Sequence, residues 1–297
     1  MGKAEVKFKL SQNDYKCLMF IWQWKLCTTA LLKHAIYKEK TYYRTYRRLR
    51  DLAKLNFLTA LMSTDGNHYV WSLTEKGFEF LESHLPELES HGFKSENRDH
   101  DFWVTAIHLG EWINGIPKNC ALVSEQQLRR YKLSDYPDWT PRTSSHRPDG
   151  WWNINLGKPQ NQSLIALEVE LSRKTPMRYH KAATYYSNTV KPYQVIWVVA
   201  NSKDSKCIDD AIKSVSSSRG EEQSFLTIDQ YIQNQWQSKI EKGKNQGKTL
   251  LEILGKSPES NPKELSGLFP LDTRKCPTIS TNHDIVQTRQ VRFSRDL

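Results

Sequence analysis

The chain has 297 residues, with 43 Lys and Arg against 33 Asp and Glu, for a net charge of +10. Its length predicts about two domains, and its 38% hydrophobic and 11% aromatic residues suffice for packed cores. No apolar run approaches the roughly 18 residues of a membrane helix, and the N-terminal segment lacks the apolar centre of a signal peptide. We therefore expect a cytoplasmic protein rather than a membrane or secreted one. Its five cysteines are scattered without a CxxC pair, which disfavours a zinc or redox site.

The positive charge is concentrated near the N-terminus. Residues 1–80 contain fourteen Lys or Arg and seven Asp or Glu, so this part supplies seven of the ten net charges. A basic module of this kind is typical of nucleic-acid binding, because phosphate contacts release counterions and dominate affinity. A membrane surface is disfavoured, since the basic residues alternate with Tyr and Thr rather than lining one face of an apolar helix.

Three helices and a hairpin are predicted within residues 1–85. Ser11 is suited to cap a helix over SQNDYKCLMFIWQWK, Thr28 or Thr29 begins a second, and KTYYRTYRRLRDLAKLNFL has the spacing of a third. The segment TALMSTDGNHYVWSLTEKGFEFLES then predicts strand, Asp-Gly turn, strand and closing helix. This order, with its W-x-L-T-x-x-G ending, resembles a winged helix-turn-helix DNA-binding domain.

The third helix would enter the major groove of DNA. Its basic residues either contact base edges or hold phosphates, and both roles remain open. A solvated helix face and a polar hairpin turn at Asn67 and His68 are the plainer alternatives. The candidate DNA-binding residues are Lys40, Thr41, Tyr42, Arg44, Thr45, Arg47 and Arg48.

A polar segment over residues 86–98 predicts a linker, and an α/β domain is expected over 99–254. Its first helix covers DHDFWVTAIHLGEWINGI and carries His100 and Glu111. His100 and His146 either act on a phosphate or are ordinary surface histidines. After residue 254, proline, serine and charge without periodicity predict a largely disordered tail over 255–297.

The candidate site lies between His146 and Tyr186. Asp149 precedes WWNINL, and SLIALEVEL alternates so that Glu168 and Glu170 share one face of a strand. Because WWNINL, GKPQNQ and SLIALEVEL predict a hairpin, Asp149 comes beside Glu168. Like charges among apolar residues need a cation, and a hard divalent ion with oxygen ligands is the usual one. A turn aspartate with a solvated edge strand is the alternative explanation.

A helix and a buried strand follow this hairpin. Pro176 suits the first position of the helix, and Lys174 or Lys181 can reach the site. The run YQVIWVVA is typical of a strand in a parallel sheet, joined by a right-handed crossover. A further helix, a short strand and another helix are predicted after Ala200.

These elements resemble the core of the PD-(D/E)xK nuclease superfamily. Within it, NRDHDFWVTAIHLGEW, HRPDG, ALEVELSRK and HKAATYY resemble the replication-relaxation family and the related MobC-type plasmid-mobilisation relaxases. The likeness spans roughly residues 10 to 230. One departure is that Glu170 stands where the superfamily usually has lysine; some restriction enzymes also carry glutamate there, and other members place the lysine on the following helix.

The resemblance implies a metal-dependent, site-specific DNA endonuclease that nicks a plasmid transfer origin. Mg²⁺ or Mn²⁺ would be bound by Asp149 and Glu168, with Glu170 placing water or a second ion. Glu111 would be a further ligand, and a solvated residue of the helix is the alternative. Lys181, in preference to Lys174, would stabilise charge in the transition state. The implied partners are double-stranded DNA and an accessory mobilisation or coupling protein.

Two other functions stay open. The missing lysine favours a non-catalytic DNA-binding regulator or replication accessory protein with a degenerate nuclease fold, whereas the intact Asp149 and Glu168 disfavour it. A restriction or defence nuclease would use the same chemistry on a different target.

Overall fold

The computed structural model describes residues 10–62, 69–142, 146–155, 162–188, 193–215 and 222–254. Within these ranges the chain is a mixed α/β protein, as expected. The predicted wing tip at Asn67 and His68 and the predicted tail over 255–297 lie outside the described residues.

The N-terminal unit contains four helices and a small antiparallel sheet whose strand order is β1-β3-β2. Its elements are α1 (Gln12–Trp24), β1 (Cys27–Thr28), α2 (Thr29–Ala35), α3 (Tyr42–Lys54), β2 (Leu58–Met62), β3 (Tyr69–Leu73) and α4 (Glu75–Glu82).

Polar side chains cap these helices, and the caps of α1 and α2 are ones that the sequence predicts. Ser11 and Asp14 form a reciprocal capping box at the start of α1. Thr28 is the N-cap of α2, and Thr41 is the N-cap of α3, where its side chain accepts from the Arg44 amide.

The second unit is built on a six-stranded sheet of order β4-β5-β6-β7-β8-β9. The strands β6, β7 and β8 pair in parallel, and the other neighbours pair antiparallel. Its elements are α5 (Arg98–Leu109), β4 (Cys120–Ser124), α6 (Glu125–Arg130), β5 (Gly150–Asn155), β6 (Gln162–Glu170), α7 (Pro176–Asn188), β7 (Tyr193–Val199), α8 (Ser202–Val215), β8 (Gln223–Thr227), α9 (Ile228–Asn234), β9 (Lys242–Gly243) and α10 (Leu250–Leu254).

Strand β6 alternates between two faces as predicted, and each face packs into a hydrophobic core. Ile165 and Leu167 pack into the core that contains α5 and most of the N-terminal unit. Ala166, on the opposite face, packs with the Tyr and Ala residues of α7. Glu168 continues that second face towards the carboxyl end of the strand, so it lies beside α7.

The helix predicted to include Glu111 ends earlier than expected. The α-helical part of α5 stops at Leu109, and Gly110, with φ 40°, opens a 3-10 helix over Gly110–Asn114. Trp236 packs against Gly110 so closely that a Cβ there would lie 1.9 Å from its Nε1. The indole N–H of Trp236 also donates to Ile107 O at 3.0 Å. A distant side chain thus sets this end of the helix.

The segment predicted as a linker packs against the second unit. Leu88 forms an antiparallel bridge with Tyr131, and the Glu89 amide donates to Arg130 O at 2.8 Å. Phe93 is 5% exposed. Residues 86–98 are therefore a structured connection, because they supply apolar and backbone contacts to both units. Within the described ranges, no helix is both long and apolar enough to span a membrane.

Candidate functional site

Asp149 lies at the start of β5, directly against β6. Gly150, the first residue of β5, pairs with Leu167, which brings Asp149 beside Glu168, as the hairpin prediction requires. The Asp149 amide donates to Leu167 O at 2.9 Å, and its Oδ2 accepts from the Val169 amide at 2.7 Å. The sheet therefore holds both the backbone and the carboxylate of Asp149.

Two histidines approach these carboxylates from different directions. His100, in the first turn of α5, places Nε2 3.3 Å from Asp149 Oδ2. His146 places Nε2 2.6 Å from Glu168 Oε1, which also accepts from the Tyr186 hydroxyl. Both histidines therefore contact the predicted site carboxylates, and a role of either on a phosphate stays a prediction.

Glu170 has a lysine partner from its own loop. Lys174 Nζ lies 2.8 Å from Glu170 Oε1, and the Lys174 amide donates to the Tyr179 hydroxyl oxygen at 2.8 Å. Tyr179 is buried in α7, so it fixes the loop that carries this lysine. The structure thus places an ammonium beside Glu170.

Burial and the histidines move the carboxylate pKa values in opposite directions. Burial acts to raise the pKa of Asp149, but His100 and the Val169 amide outweigh it, and the pKa is lowered. Burial raises the pKa of Glu168 despite the opposing effect of His146. The pKa of Glu170 is likewise raised by burial, against the effect of Lys174. Adjacent acids with separated pKa values are typical of sites that transfer protons.

Each carboxylate uses one oxygen for these contacts. They involve Oδ2 of Asp149 and Oε1 of Glu168 and Glu170. The other oxygen of each carboxylate takes no hydrogen bond or ion pair from the described residues. None of these three oxygens is among the buried polar atoms that lack a partner, so each retains some exposure. Oxygen donors of this type fit Mg²⁺ or Mn²⁺. Across the described chain, however, no three His, Cys, Asp or Glu side chains converge on one metal position.

The two remaining predicted site residues lie apart from this arrangement. Glu111 is buried in the 3-10 helix after α5, where its negative charge acts on the hydroxyl of Tyr231. Lys181 is exposed on α7, and its charge acts on His146. The structure therefore brings Asp149, Glu168 and Glu170 together. Of the two candidate lysines, Lys174 contacts one of these carboxylates directly, whereas Lys181 only influences His146 by its charge.

The predicted DNA-binding residues of α3 divide into two groups. Thr45 is fully buried and its hydroxyl donates to Thr41 O at 3.1 Å, so the prediction that it contacts DNA is wrong. The Arg48 guanidinium pairs with the buried carboxylate of Asp14 and faces α1. The outward-facing residues are Lys40, Thr41, Tyr42, Arg44 and Arg47.

Comparison with known proteins identifies no family. No family model matches the chain, and no curated protein matches it. A solved structure of a Lactococcus lactis ZitR mutant matches 28% of this chain and 56% of the ZitR chain, with 22% identity and a TM-score of 0.23. A likeness this weak carries no argument about either fold or function.

One further group next to the site has no counterpart in the sequence analysis. The ammonium of Lys25 lies 3.0 Å from Asp101 Oδ1 and 2.6 Å from Glu125 Oε2. Asp101 in turn lies 3.3 Å from Nδ1 of His100, whose other nitrogen contacts Asp149. The partners are 76 and 100 residues from Lys25 along the chain, so no local motif could indicate them.

Proposed function

We propose that this protein is a metal-dependent DNA endonuclease of the PD-(D/E)xK type whose N-terminal winged helix selects the site of cleavage. One observation carries the proposal: Asp149, directly before β5, lies beside Glu168 of β6, and each has one carboxylate oxygen uncommitted among the described residues. The mixed sheet, with α5 on one face and α7 on the other, supports the same assignment.

DNA binding is supported by the N-terminal unit. Three helices precede a β2-β3 pair, and α3 presents Arg44 and Arg47 to solvent. Tyr42 and Tyr43, at the start of α3, are 57% and 70% exposed. Because a winged helix inserts its third helix into the major groove, this surface suits double-stranded DNA.

Each residue at the site has a definable role in phosphodiester hydrolysis. Bound by Asp149 and Glu168, Mg²⁺ or Mn²⁺ would polarise the phosphate and acidify a water molecule. The Val169 amide and His100 orient Asp149, whereas His146 orients Glu168. Orienting partners of this kind commonly matter as much as the ligands.

Lys174 and Glu170 complete the proposed mechanism. The Lys174 ammonium would stabilise the charge that develops on the phosphate. It would thereby take the role of the lysine that the superfamily usually has at the position of Glu170. Glu170, whose pKa is raised by burial, is suited to take a proton from the attacking water. We further propose that the biological reaction is a strand-specific nick at a plasmid transfer origin, with an accessory mobilisation protein as partner.

A plasmid assay tests the proposed function. We would incubate supercoiled plasmids, with and without a candidate transfer region, in Mg²⁺, Mn²⁺ or EDTA. Glu168→Gln should lower cleavage by about 10²-fold or more. Glu111→Gln is the matched control, because it neutralises a buried carboxylate that lies by Tyr231 rather than at the site.

The products distinguish the possible reactions. Open circles that require metal, Glu168 and one plasmid region support site-specific nicking. Linear products support a restriction or defence nuclease instead. Equal cleavage by wild type and Glu168→Gln, or cleavage in EDTA, would refute the assigned site.

The second candidate is a non-catalytic DNA-binding regulator, and one observation favours it. Every site carboxylate already has a basic partner from the chain: His100, His146 or Lys174. A metal ion is thus not needed to offset their burial. The two functions differ in thermal unfolding, since Mn²⁺ at 100 times its Kd would stabilise a metal-binding site by about 2.7 kcal/mol. A regulator would melt identically with Mn²⁺ and with EDTA.

A further inference from the structure

Lys25 occupies an unusual backbone position at the junction of the two units. It follows the last residue of α1 with φ 63° and ψ −39°, and Leu26 N donates to Trp24 O at 2.7 Å. A hydrogen bond between residues two apart, with positive φ between them, defines a strained γ-turn. Strained non-glycine residues persist only where the surroundings hold them, and they are common at functional sites.

The surroundings hold Lys25 at both ends. Ser72, in β3 of the N-terminal unit, donates its hydroxyl to Lys25 O at 3.0 Å. At the other end the side chain, which is 8% exposed, reaches Asp101 of α5 and Glu125 of α6 with its ammonium. Lys25 therefore joins the sheet of the N-terminal unit to two helices of the second unit.

The contacts continue from Lys25 to the candidate site. Asp101 Oδ1 accepts from Lys25 and lies against Nδ1 of His100. The opposite ring nitrogen of His100 contacts Asp149 Oδ2. Since an imidazole is rigid, an Asp101 carboxylate fixed on one nitrogen sets the direction from which the other meets Asp149.

We propose that Lys25 is a positioning residue that, through Asp101 and His100, sets the Asp149 carboxylate from within the DNA-binding unit. The proposal rests on the proposed function for its catalytic meaning, although the positioning itself is a property of the folded chain. Because Lys25 is fixed to the sheet of the DNA-binding unit, docking of that unit and the geometry of Asp149 depend on one ammonium.

The test is the ring spectrum of His100 in the full chain labelled at histidine, recorded in EDTA at one fixed pH. His100→Gln assigns the signal. Lys25→Met should shift the His100 ring signals, and Lys25→Arg should return them towards their wild-type positions. A purely structural lysine would not give this selective shift with rescue.

Lys38→Met is the matched control. Lys38 also bridges the units, since its ammonium donates to Asn114 O at 2.8 Å, but this contact does not involve Asp101 or His100. The control should leave the His100 signals unchanged. If Lys25→Met does not fold, Lys25→Met/Glu125→Gln replaces it, because that variant also removes the charge of Glu125, a buried carboxylate that would otherwise lose one of its two basic partners, Lys25 and Arg129.

A second measurement separates this proposal from the proposed function. Mn²⁺ titration of the same variants should show affinity weakened about 10-fold in Lys25→Met, the usual effect of removing an outer partner of a metal ligand. Absence of Mn²⁺ binding to the wild type would refute the metal site alone. His100 signals that are unchanged in Lys25→Met, or equally changed in Lys38→Met, would overturn the positioning role whatever the metal result.

Discussion

Lys174 Nζ lies 2.8 Å from Glu170 Oε1, and the two residues are four positions apart in the chain. This pair places a cation beside Glu170, the acid at the end of β6. The side chain of Lys174 is 32% exposed, so it remains accessible to a phosphate. If the proposed mechanism holds, the basic residue that it needs lies in the loop after β6 rather than on α7.

The first prediction compares the two candidate lysines. Lys174→Met should reduce metal-dependent cleavage about 10²-fold, because it removes the positive charge beside Glu170. Lys181→Met should change the rate less than about threefold, since Lys181 is exposed and its charge is a minor influence on His146. Single-turnover cleavage of a plasmid by each variant gives the measurement. A larger loss from Lys181→Met would restore the assignment made from the sequence.

The second prediction concerns the surface of α3. Arg44→Ala and Arg47→Ala should each lower the slope of log affinity against log salt by about 1, because each removes one phosphate contact. Fluorescence anisotropy with a labelled duplex at several salt concentrations measures this slope. Arg48→Ala should leave the slope unchanged, since its guanidinium is paired with Asp14. An unaltered slope in both Arg44→Ala and Arg47→Ala would show that DNA binds elsewhere.

The third prediction is a pH-dependent loss of stability in Asp14→Asn. Burial raises the pKa of Asp14, but the bonds from Arg48 and Ser11 outweigh it and lower the pKa from 3.8 to about 2. A lowered carboxyl pKa stabilises the fold above the unfolded value, and this contribution is lost as pH falls from about 4 to about 2. Urea unfolding should therefore show a loss of about 2 kcal/mol at pH 7 that shrinks near pH 2.

Asp51→Asn is the control for that experiment. Asp51 pairs with Lys54 on the surface of α3 at 3.7 Å, and exposed pairs contribute little. Its effect should stay below about 1 kcal/mol. A loss in Asp14→Asn that does not depend on pH would mean that packing, not charge, explains the contribution of Asp14.

The fourth prediction concerns His108, which lies beneath the site against Trp24 and Trp152. Neither ring nitrogen has a hydrogen-bond partner among the described residues. Burial lowers the pKa of His108 from 6.5 to about 3. Between these values the unfolded chain binds a proton that the folded chain excludes, so stability falls as pH drops below about 6.5.

His108→Phe should remove this sensitivity to acid while keeping a ring of similar size. Between pH 6.5 and pH 5, the wild type should lose about 2 kcal/mol more of its unfolding free energy than the variant. Denaturant unfolding at the two pH values gives the comparison. Parallel losses in both proteins would show that His108 is protonated in the folded state or titrates normally.

Several features of the fold are predictable because they depend on local sequence. A capping box forms at Ser11 and Asp14 because the two residues are one helical turn apart. Pro176 begins α7 because its ring already has the φ that a helix requires. Glu168 and Glu170 share a face because side chains alternate along a strand. The hairpin then brings Asp149 beside Glu168.

Other features depend on contacts that no local pattern specifies. Glu111 lies away from the site because Trp236, over a hundred positions later, packs against Gly110 where the α-helix stops. Thr45 is buried, and Arg48 turns from the surface because its guanidinium pairs with Asp14 of α1. A periodic helix indicates which residues share a face, but only packing decides which face is covered.

The sequence by itself thus determined the helices and hairpin of the N-terminal unit, the β5-β6 hairpin with the helix and strand after it, and the nearness of Asp149 to Glu168, since these follow from local spacing. It did not predict β4, α6 or β9. Only the tertiary structure decided which basic groups meet the carboxylates. His100 of α5 meets Asp149, and His146 of the loop before β5 meets Glu168. Lys25, just after α1, meets Asp101 next to His100. The physical reason is that burial of a charge requires an opposite charge within a few ångströms, and such a partner can come from any part of the chain.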